Sequence, residues 1–233
     1  MKISIFSLPE ITQGRRNIKD SRLDEVDKIT KAKKKTYIQV ELVGEEGALE
    51  ADAILVAQEA SLDLILKDLE FVENRLSRAT LEEEKVLLAK FKEALEKENF
   101  ISKVTITSEE EKIISSYSLL TKRPVVAAVK EELDNPDELL ARVLKESGFS
   151  SFFTTGEKET RAWLIRRGIS AWEAAGAIHS DIQKGFIRAE IIALEDFLKC
   201  GGETQVKQAG KMRLEGKEYI MQDGDLANFR FNK

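Results

Sequence analysis

The sequence predicts an α/β region built on a parallel sheet, an α-helical hairpin inserted into it, and a compact α+β module at the end. Three observations carry this. Short apolar runs at Ile3–Phe6, Ala53–Ala57 and Pro124–Val129 alternate with helical stretches, as strands buried on both faces do. Between 61 and 99 apolar residues recur at steps of three and four. From about Ser150 short strand-like segments surround one short helix.

Each element has a local reason. After the first apolar run, Ser21 to Thr30 reads as a helix. Thr36 to Val43 (TYIQVELV) alternates, with β-branched content, and reads as one strand. Leu62, Ile65, Leu69, Val72 and Leu76 form one stripe, and Leu88, Phe91 and Leu95 a second. Joined near Ala79 and Thr80, they predict an antiparallel coiled-coil hairpin in which each seam covers the other. Thr80 followed by Glu83 is a capping box for the second helix. Asn135 caps a helix over Pro136–Glu146, with Pro136 in its first turn and Gly148 ending it. Phe152–Thr154, Ala162–Ile165, Phe186–Ile191, Tyr219–Met221 and Leu226–Phe231 read as strands. Ser170 caps the helix from Ala171 to His179, and Asp223-Gly224 signals a turn. The expected organisation is an α/β domain over 1–60 and 100–150, the hairpin over 61–99, and the final module over 151–233.

Composition narrows the function classes. The chain has 233 residues, enough for one large domain or a few small ones. Its 37 basic and 42 acidic residues give a net charge of −5, so any nucleic-acid contact needs a local basic patch. One cysteine and one histidine exclude an internal disulfide and a Cys/His zinc cluster. No apolar run approaches the roughly 20 residues that span a bilayer. Met1–Phe6 is too short for a secretory signal. No metal, cofactor or membrane partner is expected, and the expected location is the cytoplasm.

One stretch is distinctive. Ala175-Gly176-Ala177-Ile178-His179-Ser180-Asp181-Ile182-Gln183-Lys184-Gly185-Phe186-Ile187-Arg188-Ala189-Glu190 closely resembles the TGS-type C-terminal domain of the YchF family, the Obg-like ATPases. Glu159-Thr160-Arg161-Ala162-Trp163 and Asp223-Gly224-Asp225 with Asn228, Phe229 and Phe231 agree with it. The resemblance implies a β-grasp fold for this module. It extends more loosely upstream: Asp63 to Arg78 looks like the first helix of the family's coiled-coil insertion, and Tyr117 to Pro124 like the entry to its last nucleotide-binding strands. It therefore implies that the first region is a remnant of a P-loop nucleotide-binding domain.

A P-loop needs glycines so that backbone N–H groups can wrap phosphate, a lysine for charge, and Ser/Thr for Mg²⁺. By the resemblance the loop follows Phe6, where the chain reads Ser7-Leu8-Pro9-Glu10-Ile11-Thr12-Gln13-Gly14. Ser7 and Thr12 stand for the two glycines, Gln13 for the lysine and Gly14 for the Ser/Thr, while Pro9 matches the family. The following helix and switch region are shortened by about 30 residues, judged against the length of a helix with its connections. Gly44 stands for the switch II aspartate and Gly47 keeps its glycine. Phosphoryl transfer depends on the missing charges. The expectation is a protein that is not an enzyme, with no catalytic residue and no nucleotide partner. The alternative is a protein that keeps ATP or GTP as a ligand rather than a substrate.

Two sets of cations are candidates for RNA or partner binding. Lys33, Lys34 and Lys35 end a basic run that either contacts an RNA backbone or is a solvated helix end. Arg161, Arg166, Arg167, Lys184 and Arg188 lie near Trp163 and Phe186 in the final module, where stacking and charge suit single-stranded RNA. The family's association with ribosomes implies a ribosomal or RNA partner. The charged hairpin could also pair with another protein's helices.

Overall fold

The computed structural model describes residues 1–232. Its strands and helices run, in chain order, β1 (Lys2–Phe6), β2 (Gly14–Ile18), α1 (Ser21–Thr30), β3 (Lys35–Thr36), β4 (Ile38–Val43), β5 (Ala53–Ala57), α2 (Ser61–Leu76), α3 (Glu82–Glu96), α4 (Ser108–Ile113), β6 (Val125–Ala128), α5 (Pro136–Glu146), β7 (Phe149–Thr154), β8 (Thr160–Arg166), α6 (Ala171–Ile178), α7 (Ser180–Lys184), β9 (Phe186–Ile192), α8 (Leu194–Cys200), α9 (Glu203–Gln208), β10 (Arg213–Glu215) and β11 (Leu226–Phe231). They divide into two compact units. The first comprises Met1–Arg16 and Val40–Ser147; the second joins Asn17–Gln39 to the chain from Gly148 onward. Sequence alone assigns residues 17–39 to the first region. Their place in the second unit depends on long-range strand pairing, which local patterning does not encode.

The first unit is built on a sheet of order β2-β4-β1-β5-β6. β1 pairs in parallel with both β4 and β5, and β5 with β6. Ile3, Ile54, Leu55 and Val56 are fully buried. That burial accounts for the uninterrupted apolar runs, because a parallel sheet is covered on both faces. Leu64 of α2 joins Phe6, Ile54 and Val56 in one cluster, which seats the hairpin's first helix on the sheet.

The hairpin core is Val72, Leu87, Leu88, Phe91 and Leu95, with Ile114 and Leu119 packed into it. Leu62, predicted for the buried stripe, is 45% exposed; Leu64 is buried in its place. The Thr80 capping box does not form. α3 begins after Leu81, with no side-chain cap, and carries Glu82, Glu83 and Glu84 in its first turn, where the helix dipole favours negative charge. Asp68 is 1% exposed and accepts the N–H groups of Leu120 and Thr121 and the Thr121 hydroxyl. Burial pushes its carboxyl above the usual range against the pull of those bonds.

The second unit has a sheet of order β10-β9-β11-β7-β8-β3. β7 and β8 form an antiparallel hairpin, β9 and β11 are antiparallel, and β11 runs parallel to β7 at the centre. With α6 between β8 and β9, this is the β-grasp arrangement. Ala171, Ala174 and Ala175 of α6 pack on Phe152, Ile191 and Phe229. The Ser170 cap forms as predicted and is reciprocated by Glu173. Tyr219–Met221 is not a strand; only Ile220 makes an isolated bridge, to Ser170. The expected single strand over 36–43 is two, because Thr36 pairs with Arg161 of β8 while Glu41–Val43 pair with β1.

α1 belongs to this unit. Asp20 caps it by accepting the Arg22 N–H. The Arg22 guanidinium donates to Asp20, to Ser151 Oγ at 3.0 Å and to Asp223 Oδ2 at 2.7 Å, and lies 5.6 Å over the Phe153 ring. Thr30 and Thr160 share a hydroxyl hydrogen bond of 2.8 Å. Burial raises the Asp223 carboxyl, but the Ser151 N–H and Arg22 together outweigh it and hold it below the usual carboxylate range.

Two stability predictions follow. Phe91→Ala, at a site with no solvent exposure, is expected to cost about 3–5 kcal/mol in chemical denaturation, whereas Leu62→Ala on the exposed face costs about 0.5 kcal/mol or less. A depressed folded-state pKa stabilises above the unfolded value, near 3.9 for aspartate, and that contribution vanishes as pH falls through the folded value. Arg22→Gln should therefore cost about 1 kcal/mol at pH 7, after allowance for the pair's exposure. It should cost clearly less at pH 3. Equal costs in urea titrations at the two pH values would refute the pairing.

Candidate functional site

Because β1, β4, β5 and β6 run parallel, their carboxyl ends share one edge of the first sheet, where open α/β sheets bind ligands. Ser7 leaves β1 with φ 54°, a left-handed conformation that reverses the chain. Its N–H donates to Glu45 Oε1 at 3.2 Å. The Gly44 carbonyl accepts the buried Ser4 hydroxyl at 3.0 Å, and Gly47 N–H bonds back to Gly44 O at 3.1 Å. A Cβ on Gly44 would run into the Gln13 amide and the Glu46 carboxylate. Ser7, Gln13, Gly44 and Gly47 thus meet at this edge. Thr12 is exposed in the connecting loop, and Gly14 opens β2 with φ 119°.

As folded, these residues do not form a triphosphate cradle. A cradle offers unoccupied N–H groups and a fixed cation; here the Ser7 N–H is held by a carboxylate. Lys67 of α2 keeps its ammonium 4.4 Å over the Phe6 ring. Among the described residues no group of three or more His, Cys, Asp or Glu could hold a metal ion. Sequence reasoning missed Glu45 as a site residue, although the run Gly44-Glu45-Glu46-Gly47 places two acids at the strand end.

A second cluster lies wholly in the second unit. β3 pairs in parallel with β8, setting Lys35 opposite Thr160 and Thr36 opposite Arg161. Lys33 N–H donates to the Glu157 carbonyl at 3.1 Å and Thr160 N–H to the Lys34 carbonyl at 2.9 Å. Lys33, Lys34 and Lys35 are exposed beside Arg161. Lys34 is 3.3 Å from Glu159. Lys35 is 2.6 Å from Asp24 and lies over the Tyr37 ring, whose hydroxyl also donates to Asp24. The hydrogen bond to Asp24 is the main cause of a raised Lys35 pKa.

Arg161 holds its guanidinium 3.9 Å over the Trp163 ring. The indole N–H donates to Thr154 Oγ1 at 2.9 Å, and the ring stacks on Phe152 at 6.3 Å and 14°. The remaining predicted cations lie elsewhere. Arg166 sits over the Phe149 ring at 4.8 Å, and Arg167 donates to the Phe149 carbonyl at 3.4 Å. Lys184 and Arg188 are exposed on α7 and β9, and β9 is separated from β8 by β11 and β7. Sequence reasoning missed Asn17, Tyr37 and Gln39, which with Arg161 and Trp163 line a cavity of about 290 Å³. Nothing local in the sequence joins segments more than a hundred residues apart.

A family model for the YchF-GTPase C-terminal domain, described as a protein of unknown function (DUF933), matches residues 149–232. The chain is 35% identical over 237 residues to the Bacillus subtilis protein named ribosome-binding ATPase YchF, a match covering 74% of this chain and 65% of that protein. It is 46% identical over 106 residues to the Obg-like ATPase 1 of Pongo abelii, covering 43% of this chain and 26% of that protein. The chain thus spans less than two thirds of the length of these relatives. A solved structure of the Schizosaccharomyces pombe YchF GTPase superposes with a TM-score of 0.77 at 21% identity, covering 99% of this chain and 97% of that one, and shows the fold.

These comparisons overturn the expectation that the chain is not an enzyme. Its relatives carry ATPase or GTPase in their names, which points to a nucleotide hydrolase. The expectation rested chiefly on one edge of one sheet, whereas the likeness extends over three quarters of the sequence. By that breadth of likeness, the chain is similar to the YchF and Obg-like ATPase family over most of its length.

Proposed function

We propose that this chain works at the ribosome, in the cytoplasm, and that its TGS-like β-grasp unit contacts ribosomal RNA. The B. subtilis relative is named for ribosome binding. The observation that carries the reading is the β3–β8 pairing, which gathers Lys33, Lys34, Lys35 and Arg161 on one sheet edge of a chain whose net charge is −5. A local cationic edge is what an acidic protein needs to approach phosphates. Exposed Leu62, Leu66, Leu81 and Val86 on the charged hairpin support a protein contact as a further element of that assembly.

The family also supports a nucleotide at the carboxyl ends of β1 and β4. The chain carries no lysine between Ser7 and Gly14, and Glu45 holds the Ser7 N–H. A polyphosphate must displace that carboxylate. Phosphate release from ATP and GTP, measured with and without ribosomes, tests turnover; a rate above the protein-free control is what the relatives' names lead one to expect.

Two outcomes test these readings. The purified chain should cosediment with ribosomes at low salt and release as salt rises. The Lys33→Gln, Lys34→Gln double variant should bind several-fold more weakly, while recovery of no ribosomes with the intact chain would sink the proposal. Glu45→Gln should tighten ATP or GTP binding by about fivefold in calorimetry, since it removes a charge that repels phosphate. Unchanged affinity would show that nucleotide does not sit at this edge.

A further inference from the structure

We infer that the cavity beside Arg161 is a subsite for one unpaired nucleotide of an RNA strand, an inference that rests on the ribosomal RNA reading above. The residues lining the cavity include one cation, Arg161, and no carboxylate, so it suits an anionic ligand. Its volume of about 290 Å³ is at the lower limit of ligand pockets, enough for one nucleotide and too small for a duplex.

The chemistry of the walls selects a base. Arg161 lies 3.9 Å over the Trp163 ring, so that face of the indole is not the platform. It instead holds the guanidinium flat, and the outer face of a guanidinium is a plane on which unpaired RNA bases stack. Glu159 acts on Arg161 through space, but no close ion pair is formed among the described residues, so that face and its N–H groups are left to the ligand. Gln39 Nε2 donates to Asn17 Oδ1 at 3.3 Å. The mutual bond leaves the Asn17 amide donors and the Gln39 carbonyl acceptor for the edge of a base.

The surroundings select a strand over a free mononucleotide. Exposed Lys33 and Lys34 immediately precede β3, the strand paired with that of Arg161, so the phosphates flanking the bound nucleotide meet further cations. Tyr37, on the cavity wall, is fixed through Asp24, which in turn binds Lys35. Lys35 therefore braces the wall and Lys34 is shared with Glu159 at 3.3 Å, which leaves Lys33 and Arg161 as the cations most open to the ligand.

Anisotropy titration of the full chain with fluorescein-labelled single-stranded RNA hexamers, each a homopolymer, tests this. Arg161→Gln should weaken binding about tenfold, the order of one lost stacking contact. The Asn17→Ala, Gln39→Ala double variant should weaken it about threefold and flatten any preference among A, C and U hexamers. Arg161→Lys should recover part of the loss, and Lys199→Gln, which removes an exposed cation on α8, should change nothing. Wild-type affinity in both the Arg161→Gln and the double variant overturns the inference, as does absence of hexamer binding by the intact chain. Equal affinity for AMP or UMP and for the hexamers would also overturn it, by assigning the cavity to free mononucleotides; so would displacement of the hexamer by an acidic peptide. Ribosome cosedimentation of the same variants separates the two readings. If Arg161→Gln cosediments like wild type, the subsite falls and the ribosome reading stands. If hexamers bind through Arg161 but no ribosome is recovered, the subsite stands and the ribosome reading falls.

Discussion

The parallel pairing of two short segments, Lys35-Thr36 with Thr160-Arg161, is the contact on which the second unit's basic edge depends. A pair this short contributes few ladder hydrogen bonds by itself. It holds because α1 lies on the same sheet, with Arg22 bound to Asp20, Ser151 and Asp223 and Thr30 bound to Thr160. The arginine network anchors one end of the inserted segment and the strand pair the other. Between them residues 17–39 are committed to a β-grasp unit that begins more than a hundred residues later. Three consequences share this cause: a sixth strand on the sheet, a basic edge, and a cavity walled from both segments.

The first unit shows the opposite relation between architecture and chemistry. Its parallel sheet keeps the geometry in which ligands sit at strand ends. The side chains at those ends do not match a polyphosphate: a carboxylate rather than a phosphate accepts the Ser7 N–H, and the loop supplies no lysine. A hydrogen-bonded carboxylate resembles a phosphate oxygen in charge and direction, so Glu45 satisfies the turn while repelling the ligand the turn would otherwise receive. On the reading proposed above, a nucleotide at this edge would compete with Glu45 for the Ser7 N–H.

Unequal fates of similar residues follow from neighbours rather than type. Of the cations singled out by sequence, Arg166 and Arg167 are drawn to Phe149, and Lys35 is bound by Asp24 and Tyr37. Arg161 alone among these is laid over an indole, with Glu159 acting on it only through space. The same holds for leucines on α2, where Leu64 is buried against the sheet and Leu62, two residues earlier, faces outward. A three-four periodicity fixes which residues share a face; it does not fix which of two faces meets a second partner such as the sheet beneath α2.

Local physics determined much of this protein from sequence. Apolar runs gave buried strands, periodic stripes gave the hairpin, and Asn135 with Pro136 and Ser170 with Glu173 set helix starts, because these signals act within a few residues. The motif from Ala175 to Glu190 carried the resemblance to the family. Only the tertiary structure decided where residues 17–39 belong, that Thr36–Val43 serves two sheets, and that Asn17, Gln39, Arg161 and Trp163 share one cavity. Those are matters of strand register and long-range packing, in which the partner's identity, not the segment's own composition, determines the outcome.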